Sequence, residues 1–567
     1  MGRHMRSNCC FVNGRVVNVF SGEILKQEVR VSGERISYVG PPTDTHDGNA
    51  VYIDVKGAYI VPGFFDAHAH ADLFYNPFSY ADAVLARGTT ALFNDGHDLA
   101  NAVGVDQFLN IIRQLEKINL SFYTGVPAAA PPYPGVEGNE LWSEADIEQA
   151  FELENVLALS EITPYLRLIH GDSRLIRRLD LAMQRGKRVE GHTTGANVEK
   201  LNTLARMGVT SCHESLTTED VLNRLRLGYH VMLRHGSIRR ELPRLAEAVQ
   251  QVQRFDTSRM MLVSDGIFPD HLTSWGNMDW VIGEAVENGI DPIRAIQMAT
   301  INPARYFRLD HQIGAIAPGR LAHIVVVERL KTPTPRLVMA KGKIVAESGE
   351  LKIPPSRPPT DCLGMGDRPF RITNLEAGTF EIRCQASDQP IPVIRIVNQT
   401  VTDIEAHPIP ASGGIYRPQG DIVSAVLISR DGKKTGKGFV KGFCDGLGAI
   451  ASTIAHETHG LLVLGQSPSD MARAAHRVLE MGGGISLVHN GDVRAEVAFP
   501  MGGICSLKPV PELAREIRHL HGFLRELGCT LEYPLWTLGF LSFTSVLKAR
   551  ITYEGVYDIK AGQIIFS

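Results

Sequence analysis

Apolar residues along this chain come in two rhythms. Over residues 8–54, and again over 322–327 and 337–345, short Val- and Ile-rich runs alternate with polar positions, as in Glu28-Val29-Arg30-Val31, with Asn13-Gly14 and Ser32-Gly33 as turns between them. A period of two with such punctuation predicts short β-strands. Between these pieces, from 58 to 309, short apolar runs alternate with helical stretches at 105–118, 144–153, 172–185 and 218–227. Repeated βα units predict a parallel sheet, and about eight of them in roughly 250 residues suit a closed (β/α)8 barrel, a TIM-like fold, better than an open sheet. The expected fold class is therefore α/β. A barrel (58–311) interrupts a small β-sandwich domain built from residues 5–57 and 312–352. The run Pro354-Pro355-Ser356-Arg357-Pro358-Pro359 is a stiff linker. A mixed α/β domain (360–567) follows, with strand-like runs at 394–397, 425–428 and 461–464 and a helix over 469–481.

A chain of 567 residues exceeds one hydrophobic core and buries ample apolar surface without cross-links. Its formal net charge of −4 gives no electrostatic reason to expect nucleic acid or an anionic membrane as partner. The eight cysteines are scattered and form no Cys-x-x-Cys pair, which fits a reducing, cytoplasmic setting. No apolar run reaches the roughly 20 residues that span a bilayer, and the N-terminus lacks a signal-peptide core. Met1–His4 reads as an expression remnant ahead of Met5.

The chemistry is concentrated at predicted strand ends. Pro62-Gly63-Phe64-Phe65-Asp66-Ala67-His68-Ala69-His70 ends in two histidines one residue apart, and residues at i and i+2 of a strand project to one face, so both imidazoles can meet one ion. Glu161, His192, His213 and Asp265 each follow a β-prone stretch further on. Imidazole and carboxylate ligands without thiolate suit zinc, iron or manganese.

These motifs resemble those of the amidohydrolase superfamily and, within it, the adenine deaminase family. Val61 to Gly104, with the His-x-His run and Asp95-Gly96-His97-Asp98, is similar to the family's opening. Glu190-Gly191-His192-Thr193, Ser211-Cys212-His213-Glu214 and Met298-Ala299-Thr300 continue in the family's order. Ala451-Ser452-Thr453-Ile454-Ala455-His456-Glu457-Thr458-His459 resembles the deaminases' own C-terminal domain.

The resemblance implies two divalent ions (Mn, Fe or Zn): His68, His70 and Asp265 on one, His192 and His213 on the other, and Glu161 between them. Two such ions lower the pKa of a bound water to about 7. Asp265 then moves the proton from water to the leaving nitrogen. The implied reaction is hydrolytic deamination of adenine or a related amino-purine or amino-heterocycle, with release of ammonia. The alternative is hydrolysis of a cyclic amide or another C–N bond at the same site.

Further residues are expected at the substrate: His97 at the end of the second strand, Glu214 as a proton donor to a ring nitrogen or the partner of an arginine, and His456 and His459 as a cap. Gly266 and Asn277 stand where the family usually carries an aspartate and a histidine, so the site is expected to leave room beside Gly266 and to favour a heterocycle other than adenine. The expected partner is a small heterocyclic molecule, and a homo-oligomer is anticipated.

Overall fold

The computed structural model describes residues 9–43, 50–252, 256–373, 375–384, 390–546 and 548–567, so the proposed remnant at Met1–His4 lies outside the described residues. Eight strands of the central part belong to two parallel sheets: β1 (Phe64–Ala69), β2 (Thr89–Asn94), β3 (Ser121–Val126), β4 (Val156–Ile162), β5 (Arg188–Gly191), β6 (Ser211–Cys212), β7 (His230–Arg234) and β8 (Met260–Val263). They form a five-stranded parallel sheet in the order β5-β4-β3-β2-β1 and a three-stranded parallel sheet β6-β7-β8. Every residue of β1, β2 and β8 is buried, as expected of strands covered on both faces. Alternate side chains, among them Phe65, Ala67, Ala91, Phe93, Met232, Met261 and Val263, make one inward cluster.

Two junctions link these sheets. The Thr210 N–H donates to the Val189 carbonyl at 3.3 Å, next to β5 and β6. At the other side Ala69 and Asp265 form a parallel bridge. Asp66, buried in β1, accepts from the Ser264 N–H at 3.1 Å and ties β1 to the end of β8 a second time.

The helices follow the predicted stretches and stop one to three residues short of them, at Val105–Leu115, Glu144–Phe151, Ser173–Gln184 and Thr218–Arg226. Their starts are set by local chemistry. Ser143 with Asp146, and Thr217 with Asp220, are reciprocal capping boxes, and the Asp172 carboxylate accepts from two first-turn N–H groups.

The flanking strands make one continuous nine-stranded sheet, because Ile324–Val327 pairs antiparallel with Tyr59–Pro62. Asn13-Gly14 is not a turn. Cys9–Asn18 is a single strand with a register shift there, and Asn13 adopts φ 57°. A Cβ on Gly14 would lie 2.4 Å from Ile60 Cδ1, so glycine permits the bulge to sit against the neighbouring strand.

Beyond residue 354 the chain is not free of the central part. Ser356 bonds Asp82 through its N–H at 2.6 Å and its Oγ at 2.8 Å. An eight-stranded sheet follows, covered by the helix Pro468–Glu480. A three-stranded sheet runs over Ala549–Thr552, Gly555–Asp558 and Gln563–Phe566. Cys505–Ser506 pairs parallel with Phe74–Tyr75, which stitches this region to the segment just after β1.

Candidate metal centre

The six residues singled out at strand ends converge. His68 lies inside β1 and His70 one residue past it, Glu161 lies inside β4 instead of beyond it, and His192, His213 and Asp265 follow β5, β6 and β8. None is more than 6% exposed. Oδ1 of Asp265 is 3.3 Å from His70 Nε2 and 3.7 Å from His68 Nε2. Oε2 of Glu161 is 2.9 Å from His192 Nδ1 and 3.2 Å from His213 Nε2. The His68 and His213 rings stack with centroids 4.0 Å apart and so join the two groups.

This donor set fits divalent cations. Both ring nitrogens of His68, and Nε2 of His192, are buried with no hydrogen-bond partner. Buried polar atoms ordinarily find partners, so a cluster of unpartnered imidazole nitrogens facing carboxylates marks an ion site. His68, His70 and Asp265, and likewise His68, Glu161 and His213, offer ligand atoms within 4.8 Å of one another.

The electrostatics agree. Burial alone would raise the Glu161 and Asp265 carboxyls, but the histidines around Glu161 and the His70 and Arg234 contacts to Asp265 hold both well below the usual carboxylate range. Burial and the neighbouring His213 push the His68 imidazole down to about 3, so it stays neutral and free to ligate.

A narrow cleft opens over this cluster, lined by His70, Glu161, His192, His213, Glu214 and Asp265. Ile238, His456, Phe540, Phe543 and Val546 supply the rest of the wall, with Arg234, Arg239 and Thr400. Sequence reasoning missed Arg234 and the Phe540, Phe543 and Val546 wall. Arg234 is the last residue of β7 and thus occupied the same kind of position as the ligands. The aromatic wall comes from far along the chain and left no local pattern.

The other expected substrate residues divide. Glu214 lines the cleft, pairs with Arg234 and accepts from Thr194 Oγ1 at 2.8 Å. Despite its burial, Arg234 and the two histidines hold its carboxyl well below the usual range, which favours the expected pairing with an arginine. His97 opens the helix His97–Val103 and bonds Asp95, with Nδ1 3.8 Å from Glu161 Oε1. His456 lines the cleft, whereas His459 is fully buried and turned to Asp98.

Two expectations about substrate choice are overturned. Asn277 is fully buried, its Oδ1 accepting from Thr89 Oγ1 at 2.6 Å and its amide reaching Tyr80. Thr89 begins β2, whereas the ligands sit at the opposite ends of their strands, so Asn277 does not face the cleft. Nor is there room beside Gly266, where a Cβ would meet Ile238 Cδ1 at 2.5 Å and Trp536 at 3.0 Å.

Comparison with known proteins agrees with the site. The amidohydrolase family profile matches residues 59–345, and the adenine deaminase C-terminal domain profile matches 399–563. The chain is 32% identical over 560 residues to the adenine deaminase of Moorella thermoacetica, covering 96% of this chain and 93% of that one. It is 33% identical over 572 residues to the adenine deaminase of Rubrobacter xylanophilus, covering 96% and 92%. Among solved structures, a beta-aspartyl dipeptidase from Fervidobacterium islandicum is 17% identical, covering 62% of this chain and 99% of that one at a TM-score of 0.46. With two family profiles matched in order and near full-length similarity, the chain belongs to the amidohydrolase superfamily and, within it, to the adenine deaminase family.

Proposed function

We propose that the protein removes the exocyclic amine of adenine, or of a closely related amino-purine, by hydrolysis, releasing ammonia. The observation that carries this reading is that one cleft is lined both by the imidazole and carboxylate candidate ligands and by the apolar side chains Phe540, Phe543 and Val546. Such a slot suits a flat ring.

His68, His70 and Asp265 would hold one ion, and His192 and His213 a second, with Glu161 shared between them. The metal is manganese, iron or zinc. When bound, such ions supply Lewis acidity and bring the pKa of water down to about 7. The chain's own groups do the rest. Asp265 accepts the proton of the attacking water and returns it to the amine nitrogen, so that the C–O bond forms, the C–N bond breaks and ammonia leaves. Arg234, 3.1 Å from Asp265 Oδ2, fixes the carboxylate that does this. Ionised Glu214 accepts a ring N–H, and His456, another residue of the cleft lining, meets the substrate.

The same reading takes the five- and three-stranded sheets as one closed (β/α)8 barrel over residues 58–311. The nine-stranded sheet domain (5–57 and 312–352) and the C-terminal domain (360–567) complete it. Cytoplasmic location is supported by the scattered cysteines, which form no Cys-x-x-Cys pair. Homo-oligomerisation is supported by exposed Val51 and Tyr52 on a strand that, among the described residues, pairs only with Cys9–Asn18. Hydrolysis of a cyclic amide drew its support from Gly266 and Asn277, and neither lines the cleft.

The test is an assay of metal-loaded protein on adenine and a panel of heterocycles. Ammonia release from adenine is expected. Ring opening of a cyclic amide without ammonia would overturn the reading.

A further inference from the structure

One buried carboxylate outside the ligand set gathers four imidazoles. Asp98 lies in the first turn of the helix His97–Val103 and is fully buried. Its Oδ1 is 2.9 Å from His456 Nδ1 and 2.8 Å from His459 Nε2, both from the C-terminal region. Its Oδ2 faces the barrel side, 3.6 Å from His70 Nδ1 and 3.5 Å from His97 Nε2. His70 turns its other nitrogen to Asp265. Asp98 thus stands behind a metal ligand and behind a residue of the substrate wall at once.

The segment carrying the two C-terminal histidines is held tightly. Asn101, one turn on from Asp98, donates to the Glu457 carbonyl, and Arg430 donates to the His459 carbonyl at 3.3 Å. Glu457 and His459 both adopt left-handed backbone, with φ 70° and 46°. Residues other than glycine avoid that region unless their surroundings impose it, and such strain collects at functional sites. His459 contributes no surface to the cleft. Its Nε2 contact with Asp98 is what its side chain offers the site.

We infer that Asp98 is a positioning residue through which the C-terminal segment, by way of His459, orients the metal ligand His70 and the substrate-facing His456. An outer carboxylate on a ligating histidine fixes ring orientation and raises ligand basicity. Here that carboxylate is itself oriented by the region that distinguishes this family. A third cation between His70 Nδ1, His97 Nε2 and Asp98 Oδ2 would require His70 to ligate through both nitrogens and give up its last ring proton. An acceptor role for Asp98 has no such cost.

The inference rests on the proposed metal centre and deaminase activity, and a mutant cycle separates the two. The variants are Asp98→Asn, His459→Leu, their combination, and His459→Gln, whose amide can still donate to Asp98. Each full-length holoenzyme is read for kcat, KM, metal retention against a chelator, and unfolding midpoint. If His459 acts through Asp98, each single variant loses roughly 10–100-fold in kcat or metal affinity, the combination loses no more than Asp98→Asn, and His459→Gln restores most of the loss. Should Asp98→Asn fail to fold, His459→Leu against His459→Gln still decides. Multiplicative losses, or a lowered midpoint with kcat and metal retention intact, would overturn it. So would a third ion per chain that Asp98→Asn removes, since Asp98 would then be a ligand. A parent protein that holds metal but releases no ammonia defeats the deaminase reading instead, and the chelator arm still tests the coupling.

Discussion

His70 and Asp265 meet twice: His70 Nε2 is 3.3 Å from Asp265 Oδ1, and the His70 N–H donates to the Asp265 carbonyl at 3.2 Å. The end of β1 and the residue after β8 are thereby locked together, and two ligands nearly 200 residues apart share one backbone register. Asp265 holds this place with φ 57°, a conformation that Asp and Asn tolerate better than most residues.

That tolerance makes Asp265→Asn a clean probe. Asparagine keeps a ligand oxygen and the backbone conformation but cannot take a proton. Turnover should fall roughly 10²–10⁴-fold with most of the metal retained, as elemental analysis beside steady-state kinetics can check. Wild-type turnover in this variant would remove Asp265 from proton transfer.

If Glu161 bridges the proposed ions with its own carboxylate, no carbon dioxide is needed to build the centre. Close to two ions per chain are expected in the wild type. His192→Ala should lose mainly one of them, and Glu161→Ala more than one, with no recovery of activity on adding bicarbonate. Restoration by bicarbonate would point to a carboxylated lysine in its place.

Gly266→Asp should destabilise the protein without improving use of adenine. The new Cβ would sit 2.5 Å from Ile238 Cδ1 and force an unpaired carboxylate into a packed wall, which costs on the order of 1–3 kcal/mol or more. Thermal unfolding and adenine kinetics on this variant check both halves. A stable variant with faster adenine turnover would restore the idea that residue 266 sets specificity.

Glu137 predicts a pH effect on stability. It accepts from Thr544 Oγ1 at 2.6 Å and the Tyr133 N–H at 2.7 Å, and burial pushes its carboxyl up from 4.5 to about 7. The folded protein then binds this proton more tightly than the unfolded chain. The contribution of Glu137 to stability is full below about pH 4.5 and declines as pH rises to about 7, a loss on the order of 3 kcal/mol. Glu137→Gln removes the titration, so its stability relative to wild type should grow from pH 5 to pH 8. Parallel denaturation curves across that range would contradict the assignment.

The convergence of the candidate ligands was legible because His, Asp or Glu at the end of a short buried strand is a local pattern, and five such strands in series leave few arrangements for a parallel sheet. Direction was not legible. Asn277 follows Asp265 by twelve residues, but the helix Pro269–Ser274 carries the chain away from the ligands to Thr89 at the start of β2. The Phe540, Phe543 and Val546 wall depends on contacts across more than 250 residues, and no periodicity encodes which apolar residue returns to a distant cleft. Asp98 stood in plain view beside His97, yet an acid in a first helical turn reads locally as support for the helix dipole. Asn13-Gly14 forms a bulge where its composition also suits a turn, because the same dipeptide serves both and only the partner strand decides.

The pairing of Tyr59–Pro62 with Ile324–Val327 bears on how the chain comes off the ribosome. The first of these strands emerges long before the second, and at synthesis rates of about 5–20 residues per second the interval is on the order of 15–50 s. For that time one ladder of the early sheet stays open at the edge where the late strand belongs, an invitation to pair with another nascent chain. Chain termination anywhere between the two strands would leave that edge permanently bare, so truncated products are expected to collect in the insoluble fraction.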